Sequence, residues 1–387
     1  MPARAHSGTK AANDRLHRAA DRGKLQSSVV TVAQVKMSSI RKIGVLTSGG
    51  DCAGLNAVIR AVTDAAAGRG WEVVGLRNGH LGLLNDPPDI LALTADTVRG
   101  DLLRAGGTVL GTTTKGDPFK FPGADGTTSD RSEDVRAAIR KLGLDALVVI
   151  GGDGSMRLFD RLLTGLGIPW VGVPKTIDND VPGTEFAVGF FTAVEIVGQS
   201  LDRLASHAAS HRRIMVLEVM GRDSGFIALF GGIAGGADVI LMPEFPYDLD
   251  AVVAHVRKIT HDRPSPVLVV VAEGVARPAE ERRKGNVGLA IANALQTRTG
   301  FDARCTVLGH VQRGGTPAMF DRLLGSAMGA RAVHVLAAGQ NQRMVAWRGG
   351  LVTDVPLAEV VTGPRFVGKD SQLIRTARRL GTYVGEL

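Results

Sequence analysis

Residues 43–56 read IGVLTSGGDCAGLN. The short aliphatic run predicts a strand over residues 43–47, and the amphipathic pattern of residues 54–68 predicts a helix. The glycines between them let the backbone curl until its N–H groups converge on one point, and the helix dipole adds a positive end there. The loop matches neither the Walker A nor the GxGxxG pattern. It therefore predicts a phosphate-binding turn, with a glycine-rich turn that binds nothing as the alternative.

The alternation of strand and helix continues along the whole chain. At 387 residues it is too long for one typical core, so two domains are expected. The alternation predicts an α/β protein with mostly parallel sheets, helices on both faces and ligands at the carboxyl ends of the strands. Further strands are predicted over residues 72–76, 146–150, 170–173, 214–219, 239–241, 267–272 and 306–308, and further helices over residues 132–142, 191–208 and 317–338.

Charge and composition exclude several classes of protein. The formal net charge is +8, but residues 1–42 hold nine basic side chains against two acids, which leaves only +1 for the other 345 residues. A nucleic-acid-binding face is therefore not implied. No uncharged stretch approaches the roughly 18 residues of a membrane span. Two distant cysteines, Cys52 and Cys305, favour a reducing cytoplasm over a disulfide framework.

Residues 1–39 are predicted to be a disordered or mis-annotated basic extension. They are rich in Ala and Arg and contain no apolar signal core. Met37 opens the run MSSIRKIGVLTSGG, so the preceding 36 residues are interpreted as an over-called start.

Residues 150–155, IGGDGS, predict a second strand–glycine–helix turn with Asp153 inside it. A carboxylate would repel bound phosphates unless a divalent cation lay between them, so Asp153 is predicted to be a Mg²⁺ ligand. An aspartate that caps the following helix is the alternative. Because GGDG turns also occur in NAD kinases and lipid kinases, this motif indicates phosphoryl transfer more than it indicates a substrate.

Residues 174–180, PKTIDND, place two acids in a loop after a strand. Asp178 is the candidate that accepts a proton from a sugar hydroxyl as the hydroxyl attacks phosphorus. Turn formation is the alternative for Asn179 and Asp180. Several arginines follow later strands in glycine-rich segments, which suits bidentate binding of a sugar phosphate. They are Arg212, Arg213, Arg222, Arg304 and Arg313.

Residues 42–339 resemble the bacterial-type 6-phosphofructokinases. The segments GVLTSGGD, VVIGGDGS, PKTIDND, GFFTA, VLEVMGR and VLGHVQRGGTP occur in the order and spacing of that family. The resemblance implies a cytoplasmic glycolytic kinase that phosphorylates fructose 6-phosphate with Mg²⁺ and ATP, as a homotetramer or homodimer with sites shared between subunits. It implies two doubly wound three-layer domains with the active site in the cleft between them. Residues 40–189 with 317–370 would bind the donor, and residues 190–316 with 371–387 the sugar phosphate.

The resemblance also assigns roles to matching positions. Asp178, Gly50, Thr176 and Arg222 are the expected catalytic residues, Asp180 supports them, and Arg213 and Arg304 are expected to reach the sugar phosphate of a neighbouring subunit. The expected donor contacts are Gly50, Thr114, Lys115, Gly152, Asp153, Gly154 and Ser155, with Asp153 on Mg²⁺. The expected substrate contacts are Thr176, Ile177, Asp178, Arg213, Met220, Gly221, Arg222, Glu273, Arg304, His310, Val311, Gln312 and Arg313.

Two positions bear on the donor. Gly154 leaves room for an α-phosphate, whereas relatives that use pyrophosphate carry Asp there. Lys175 is typical of pyrophosphate users and of a mixed-substrate subgroup, cyanobacterial or actinobacterial in character, that has both glycine and lysine. ATP is therefore favoured, and pyrophosphate is the alternative. Lys115 stands at the position where many relatives have an arginine that contacts ATP. Asp64 lies one helical turn after Arg60, at the position where allosterically regulated relatives often have a second arginine.

Three rival interpretations have distinct signatures. PKTIDND and GHVQRGG disfavour a kinase of NAD or a lipid. A non-catalytic sugar-phosphate-binding paralogue would be expected to lose Asp153 or Asp178, and both are present. His207 and His211 have the i, i+4 spacing of a zinc pair, but the sequence offers no third ligand nearby.

Overall fold

The computed structural model describes residues 40–123, 125–262, 266–276 and 286–386. The predicted basic extension, residues 1–39, lies outside them. The described strands are, in chain order, β1 (Lys42–Thr47), β2 (Glu72–Leu76), β3 (Ile90–Leu93), β4 (Phe121–Pro122), β5 (Thr128–Ser129), β6 (Ala146–Gly151), β7 (Trp170–Pro174), β8 (Ile214–Val219), β9 (Val239–Leu241), β10 (Val267–Ala272), β11 (Ala303–Val307), β12 (Arg343–Arg348) and β13 (Leu351–Pro356).

The helices alternate with these strands, as the sequence predicts. They are α1 (Leu55–Ala67), α2 (Ala95–Val98), α3 (Ser132–Lys141), α4 (Asp153–Leu163), α5 (Phe190–His211), α6 (Phe226–Ala234), α7 (Leu249–Asp262), α8 (Val287–Thr299), α9 (Met319–Ala337) and α10 (Gln372–Arg379). Short 3₁₀ turns cover Gly82–Leu84, Gly100–Arg104, Pro118–Lys120, Gly309–Arg313 and Leu357–Glu359. Among the described helices, none combines the length and the hydropathy that a bilayer crossing requires.

A seven-stranded sheet has the order β13-β12-β7-β6-β1-β2-β3. The strands from β12 to β2 pair in parallel, and β13 and β3 are antiparallel edges. Alternate residues of β6 face different cores: Val148 and Ile150 belong to one, while Leu147 and Val149 belong to the other. Because side chains alternate across a strand, this aliphatic run is buried on both faces by helices. The doubly wound α/β prediction is confirmed.

A second sheet has the order β11-β8-β10-β9, with every pair parallel. Its four strands lie between residues 214 and 307, and all strands of the larger sheet lie before residue 175 or after residue 342. This distribution agrees with the two predicted segments, although the domain boundaries themselves stay a prediction.

Some predicted elements differ from the structure. The strand expected over residues 306–308 is β11, which begins at Ala303 and ends at Val307, so that prediction was shifted toward the carboxyl end. Strands β3, β4, β5, β12 and β13 were missed. The last two form a hairpin around Gly349 and Gly350, whose left-handed φ values of 57° and 80° favour glycine, as in a two-residue hairpin turn. The dipeptide was a readable turn signal.

Candidate active site

Loops from both sheets line one cavity of about 650 Å³. One wall comes from the loops after β1, β6 and β7, which are parallel neighbours and therefore end at the same edge of the sheet. The opposite wall comes from the loops after β8 and β11. The predicted residues that line the cavity are Gly50, Thr114, Lys115, Gly152, Asp153, Gly154, Ser155, Lys175, Thr176, Asp178, Asp180, Arg222, His310 and Arg313.

The first glycine loop is in contact with Arg313, which follows β11. A Cβ on Gly50 would lie 2.8 Å from Nη1 of Arg313, so a side chain there would displace the arginine. Arg313 Nη1 donates a hydrogen bond to the carbonyl of Asp51 at 3.2 Å. The loop after β11 thus reaches across the cavity and contacts the loop after β1.

Lys175 joins the first and third loops. Its side chain is buried, and its Nζ donates a hydrogen bond to the carbonyl of Gly50. Burial lowers the pKa of this amine below its usual value, because a charged ammonium loses hydration in the protein interior. Lys175, one of the two positions that bear on the choice of donor, therefore contacts the first glycine loop directly.

The second loop begins helix α4 with an acid at its first position. Asp153 follows the extended Gly152 and forms an ion pair with Arg157, with Oδ2 2.7 Å from Nη1. Ser155 Oγ donates a hydrogen bond to Ser48 Oγ at 2.9 Å, which ties this loop to the first one. A Cβ on Gly154 would find its nearest neighbour, a terminal nitrogen of Arg157, 3.8 Å away. The space beside Gly154 is open.

Asp178 is a buried carboxylate with a free oxygen. The residue is 8% exposed, and its Oδ1 has no hydrogen-bond partner. Its backbone is held on both sides: the Asp178 N–H donates to Thr176 Oγ1 at 3.1 Å, and Ser224 Oγ donates to the Asp178 carbonyl at 2.9 Å. Burial, and next the charge of Asp180, raises the pKa of Asp178 to about 6. Such a carboxylate is ionised at neutral pH and is a stronger base than an exposed one.

Negative charge accumulates where the second and third loops meet. Burial raises the pKa of Asp180, and the charge of Asp153 raises it further. Across the described ranges, no group of three or more His, Cys, Asp or Glu side chains could hold a metal ion by itself. The two neighbouring carboxylates of Asp153 and Asp180, which both line the cavity, suit a cation shared with a ligand's own oxygens.

The opposite wall is positioned by hydrogen bonds to its backbone. Arg222 has a left-handed φ of 57°, and its N–H donates to Glu273 Oε1 at 2.9 Å. The Met220 N–H donates to Gln312 Oε1 at 2.7 Å. These bonds connect the loops after β8, β10 and β11. They fix the backbone from which the arginines of this wall extend.

A model of the phosphofructokinase family matches residues 42–336 of this chain. The chain belongs to the phosphofructokinase family. It is 50% identical over 360 residues to ATP-dependent 6-phosphofructokinase 1 of Synechocystis sp., covering 90% of this chain and 99% of that protein. It is 46% identical over 358 residues to ATP-dependent 6-phosphofructokinase of Chloroflexus aurantiacus, covering 90% and 99%.

Solved structures of phosphofructokinases share the fold. Phosphofructokinase of Pichia pastoris superimposes with a TM-score of 0.73 at 29% identity, covering 88% of this chain and 39% of that one. This chain thus spans about two fifths of the length of the yeast protein. A pyrophosphate-dependent phosphofructokinase of Marinobacter aquaeolei gives a TM-score of 0.75 at 24% identity, covering 90% and 93%. The two-sheet architecture is therefore that of the phosphofructokinase family.

Eight residues expected at the site of this phosphofructokinase-family chain do not line the cavity. Ile177 is buried in the core, and Val311 is 67% exposed. Arg213 and Arg304 both pair with Asp302, at 2.6 and 2.5 Å, away from the cavity. The remaining four lie behind or beside the wall that carries Arg222; they are Met220, Gly221, Glu273 and Gln312.

The cavity also contains residues that the sequence interpretation missed. They are Ser48, Asp51, His80, Thr113, Asp117 and Leu158. His80 is buried; its Nε2 hydrogen-bonds the carbonyl of Gly116, its Nδ1 has no partner, and burial lowers its pKa. A signal was present, because the turn that carries His80 follows β2, whose carboxyl end lies at the same sheet edge as that of β1.

Proposed function

We propose that this chain transfers a phosphoryl group from Mg-ATP to the 1-hydroxyl of fructose 6-phosphate and forms fructose 1,6-bisphosphate. The observation that carries the proposal is the buried Asp178, whose unpartnered oxygen shares one cavity with Asp153 and two glycine loops. The names of the relatives from Synechocystis and Chloroflexus support the same reaction.

On the acceptor side, Asp178 takes the proton of the attacking hydroxyl through its Oδ1. The raised pKa matches this task, since a base that titrates closer to the working pH accepts a proton more readily and is still ionised at pH 7. Thr176 and Ser224 orient the loop by their hydrogen bonds to its backbone. Arg222 and Arg313 bring positive charge to the cavity, where it offsets the charge of the transferring phosphoryl group.

On the donor side, the residues fit a magnesium ion held jointly by protein and donor. Magnesium typically takes one or two carboxylates together with substrate phosphates, which agrees with Asp153 in an open cavity and with the absence of a larger ligand cluster among the described residues. When bound, the ion neutralises and orients the donor phosphates. The backbone of the loops at Gly50 and Gly152 would approach those phosphates closely, because neither residue has a side chain.

The space at Gly154 supports ATP as the donor. Nothing lies within 3.8 Å of a Cβ built there, whereas an acidic side chain would occupy that space with negative charge. Pyrophosphate is a second candidate donor, because a lysine at position 175 is typical of the family's pyrophosphate users and is compatible with either donor.

On the sugar-phosphate side, we infer an assembly that shares its sites. His310 and Arg313 line the cavity, while Arg213 and Arg304 pair with Asp302 outside it. The half-buried Arg213 and the exposed Arg304, joined through Asp302, suit the phosphate of a sugar bound in an adjacent subunit. A homotetramer, or a homodimer, would complete each site in this way.

We also infer a cytoplasmic location. Cys52 and Cys305 are free thiols. Burial raises the pKa of the Cys52 thiol to about 12 and that of Cys305 to about 11, so both stay protonated and unreactive. This use of cysteine agrees with a reducing compartment.

A coupled assay for fructose 1,6-bisphosphate tests the function. The purified chain is given fructose 6-phosphate with ATP or with pyrophosphate, each with and without Mg²⁺. Turnover with ATP and Mg²⁺, but not with pyrophosphate, supports the proposal. Turnover with pyrophosphate but not with ATP would favour pyrophosphate as the donor. Binding of fructose 6-phosphate without turnover on either donor would identify a non-catalytic paralogue and refute the kinase assignment.

A further inference from the structure

Arg365 lies outside every motif of the sequence analysis. It belongs to the irregular segment 363–368, which follows the hairpin of β12 and β13 and precedes α10. The side chain is half-buried, and burial lowers the pKa of its guanidinium to about 10. Arg365 therefore keeps its positive charge at neutral pH.

Three hydrogen bonds join this residue to the loop that carries Asp178. Its Nε donates to the carbonyl of Asn179 at 2.8 Å, and its Nη2 donates to the carbonyl of Glu185 at 2.6 Å. Its backbone N–H donates to the carbonyl of Asp180 at 2.8 Å. Because the guanidinium is a rigid planar fork, it fixes the separation of the two carbonyls that it bridges.

The held segment has a backbone that needs support. Asn179 adopts a left-handed φ of 53°, which a non-glycine residue takes up at a cost. Its own side chain helps: Nδ2 donates to the Glu185 carbonyl at 3.0 Å, and Oδ1 accepts from the Ala187 N–H at 2.9 Å. Arg365 and Asn179 thus bind the same carbonyl from two directions and close the loop on itself.

The same segment contacts the opposite wall of the cavity. The guanidinium carbon of Arg365 lies 4.7 Å from the ring centroid of Phe226, the first residue of α6. Two residues later, the Val367 N–H donates to Glu244 Oε1 at 3.0 Å, and that oxygen also accepts from the Gly225 N–H at 2.8 Å. The start of α6 follows Arg222 by four residues, so this segment spans from the acceptor loop to the wall that presents Arg222.

We propose that Arg365 is a positioning residue for phosphoryl transfer, which holds the Asp178–Asp180 loop at a fixed distance from the wall that carries Arg222. That the reaction is phosphoryl transfer rests on the proposed function. That Arg365 holds the loop rests on the hydrogen bonds described above. A carboxylate that must meet a hydroxyl within hydrogen-bond reach loses much of its effect when it moves by about 1 Å. The chemistry at Asp178 therefore depends on a residue that touches no reacting atom.

The experiment compares Arg365→Ala and Arg365→Lys with Arg348→Ala as the matched control. Arg348, the last residue of β12, donates from Nε to the carbonyl of Gly183 at 2.7 Å, in the same loop but beyond Asp180, and pairs through Nη2 with Glu359 Oε2 at 3.2 Å. For each variant we would measure kcat, the KM for fructose 6-phosphate, the melting temperature, and amide hydrogen exchange across residues 176–187.

We expect Arg365→Ala to lower kcat by about 10- to 100-fold, because the base is misplaced, while the KM for fructose 6-phosphate changes by less than about threefold. Exchange at residues 178–180 should become faster. Arg365→Lys should restore part of kcat, since an ammonium keeps the charge and can donate to a carbonyl but lacks the rigid planar fork that fixes the separation of two. Arg348→Ala should lower the melting temperature yet keep kcat within about twofold of the wild type.

A wild-type kcat in Arg365→Ala would overturn the inference, and so would an equal loss of kcat in Arg348→Ala, which would indicate general loop stability. If Arg365→Ala does not fold, Arg365→Lys decides: a lowered kcat at an unchanged melting temperature supports positioning, and an unchanged kcat refutes it. If the wild type itself fails to phosphorylate fructose 6-phosphate, the proposed function fails. In that case faster exchange at residues 178–180 in the Arg365 variants still supports the holding role, and unchanged exchange refutes it.

Discussion

The guanidinium of Arg157 lies 2.7 Å from the carboxylate of Asp153, one helical turn further along α4. The carboxylate proposed to bind magnesium is therefore neutralised by the chain's own cation when no ligand is present. Any ion that binds Asp153 must compete with this guanidinium, whose side chain is 46% exposed.

Replacement of Arg157 by alanine should therefore ease magnesium binding. Exposed i, i+4 ion pairs contribute only about 0.3–0.5 kcal/mol, so we expect the Mg²⁺ concentration for half-maximal activity to fall by about twofold. The measurement is a magnesium titration at saturating ATP and fructose 6-phosphate. Arg161→Ala, which removes a like charge one turn further along α4, is the control and should leave the titration unchanged. A higher magnesium requirement in Arg157→Ala would mean that the arginine assists donor binding.

Replacement of Asp178 by asparagine should remove the base and keep the shape of the site. We expect kcat to fall by at least about 10²-fold, with binding of fructose 6-phosphate largely intact. Isothermal titration with the sugar phosphate separates the two quantities. An unchanged kcat would remove Asp178 from the proton-accepting role, whatever the affinity.

The pH dependence of kcat/KM should report the titration of Asp178. The base must be ionised, and its pKa is raised to about 6, so activity should be level above that pH and fall about tenfold per unit below it. Because the charge of Asp180 contributes to the shift, Asp180→Asn should move the acid limb to lower pH. An acid limb near the ordinary value of an exposed aspartate would contradict the buried environment described for Asp178.

Replacement of Gly154 by aspartate should penalise ATP. The new carboxylate would lie beside the donor phosphates, and we expect kcat/KM for ATP to fall by at least about 10²-fold, while the value for fructose 6-phosphate changes far less. Gly154→Ala is the matched control, since a Cβ there meets its nearest atom only at 3.8 Å. If the alanine variant lost as much activity as the aspartate variant, helix distortion, and not charge at the donor, would explain both.

Shared sites would allow two defective variants to complement each other. We expect Asp178→Asn to have a kcat lowered by at least about 10²-fold. We expect Arg304→Ala to have a KM for fructose 6-phosphate raised by about tenfold or more, because a charge-assisted phosphate contact is lost. After the two are unfolded together and refolded, hybrid assemblies should regain activity at low fructose 6-phosphate. The same mixture combined without unfolding is the control. No recovery in hybrids of confirmed mixed composition would place Arg304 outside the neighbour's site.

The three loops after β1, β6 and β7, which carry the glycines and the acids of the site, could be predicted from the sequence alone. Each follows an aliphatic run of five or six residues, and such runs become neighbouring parallel strands whose carboxyl ends meet. Asp153 follows β6 and Asp178 follows β7. Because these two strands are neighbours in the sheet, the two aspartates lie near one another. The antiparallel edges β3 and β13 were harder, because edge strands are short or half-exposed and carry less of the aliphatic pattern.

Arg365 shows what a linear pattern cannot contain. It lies 186 residues from Asn179 along the chain, in a segment without a regular period, and its partners are backbone carbonyls that no residue type reveals. Likewise, the 8% exposure of Asp178 arises from loops after several strands closing over it.

By itself, the sequence determined the α/β architecture, the order of the loops and the residue types offered to a phosphate and a metal, because all of these follow from local periodicity and spacing. Only the tertiary structure decided which side chains share the cavity, which carboxylate is buried enough to act as a base near neutral pH, and which distant arginine holds it there. Burial and charge depend on every segment that packs around a group, and those segments are brought together by folding and not by their order in the chain.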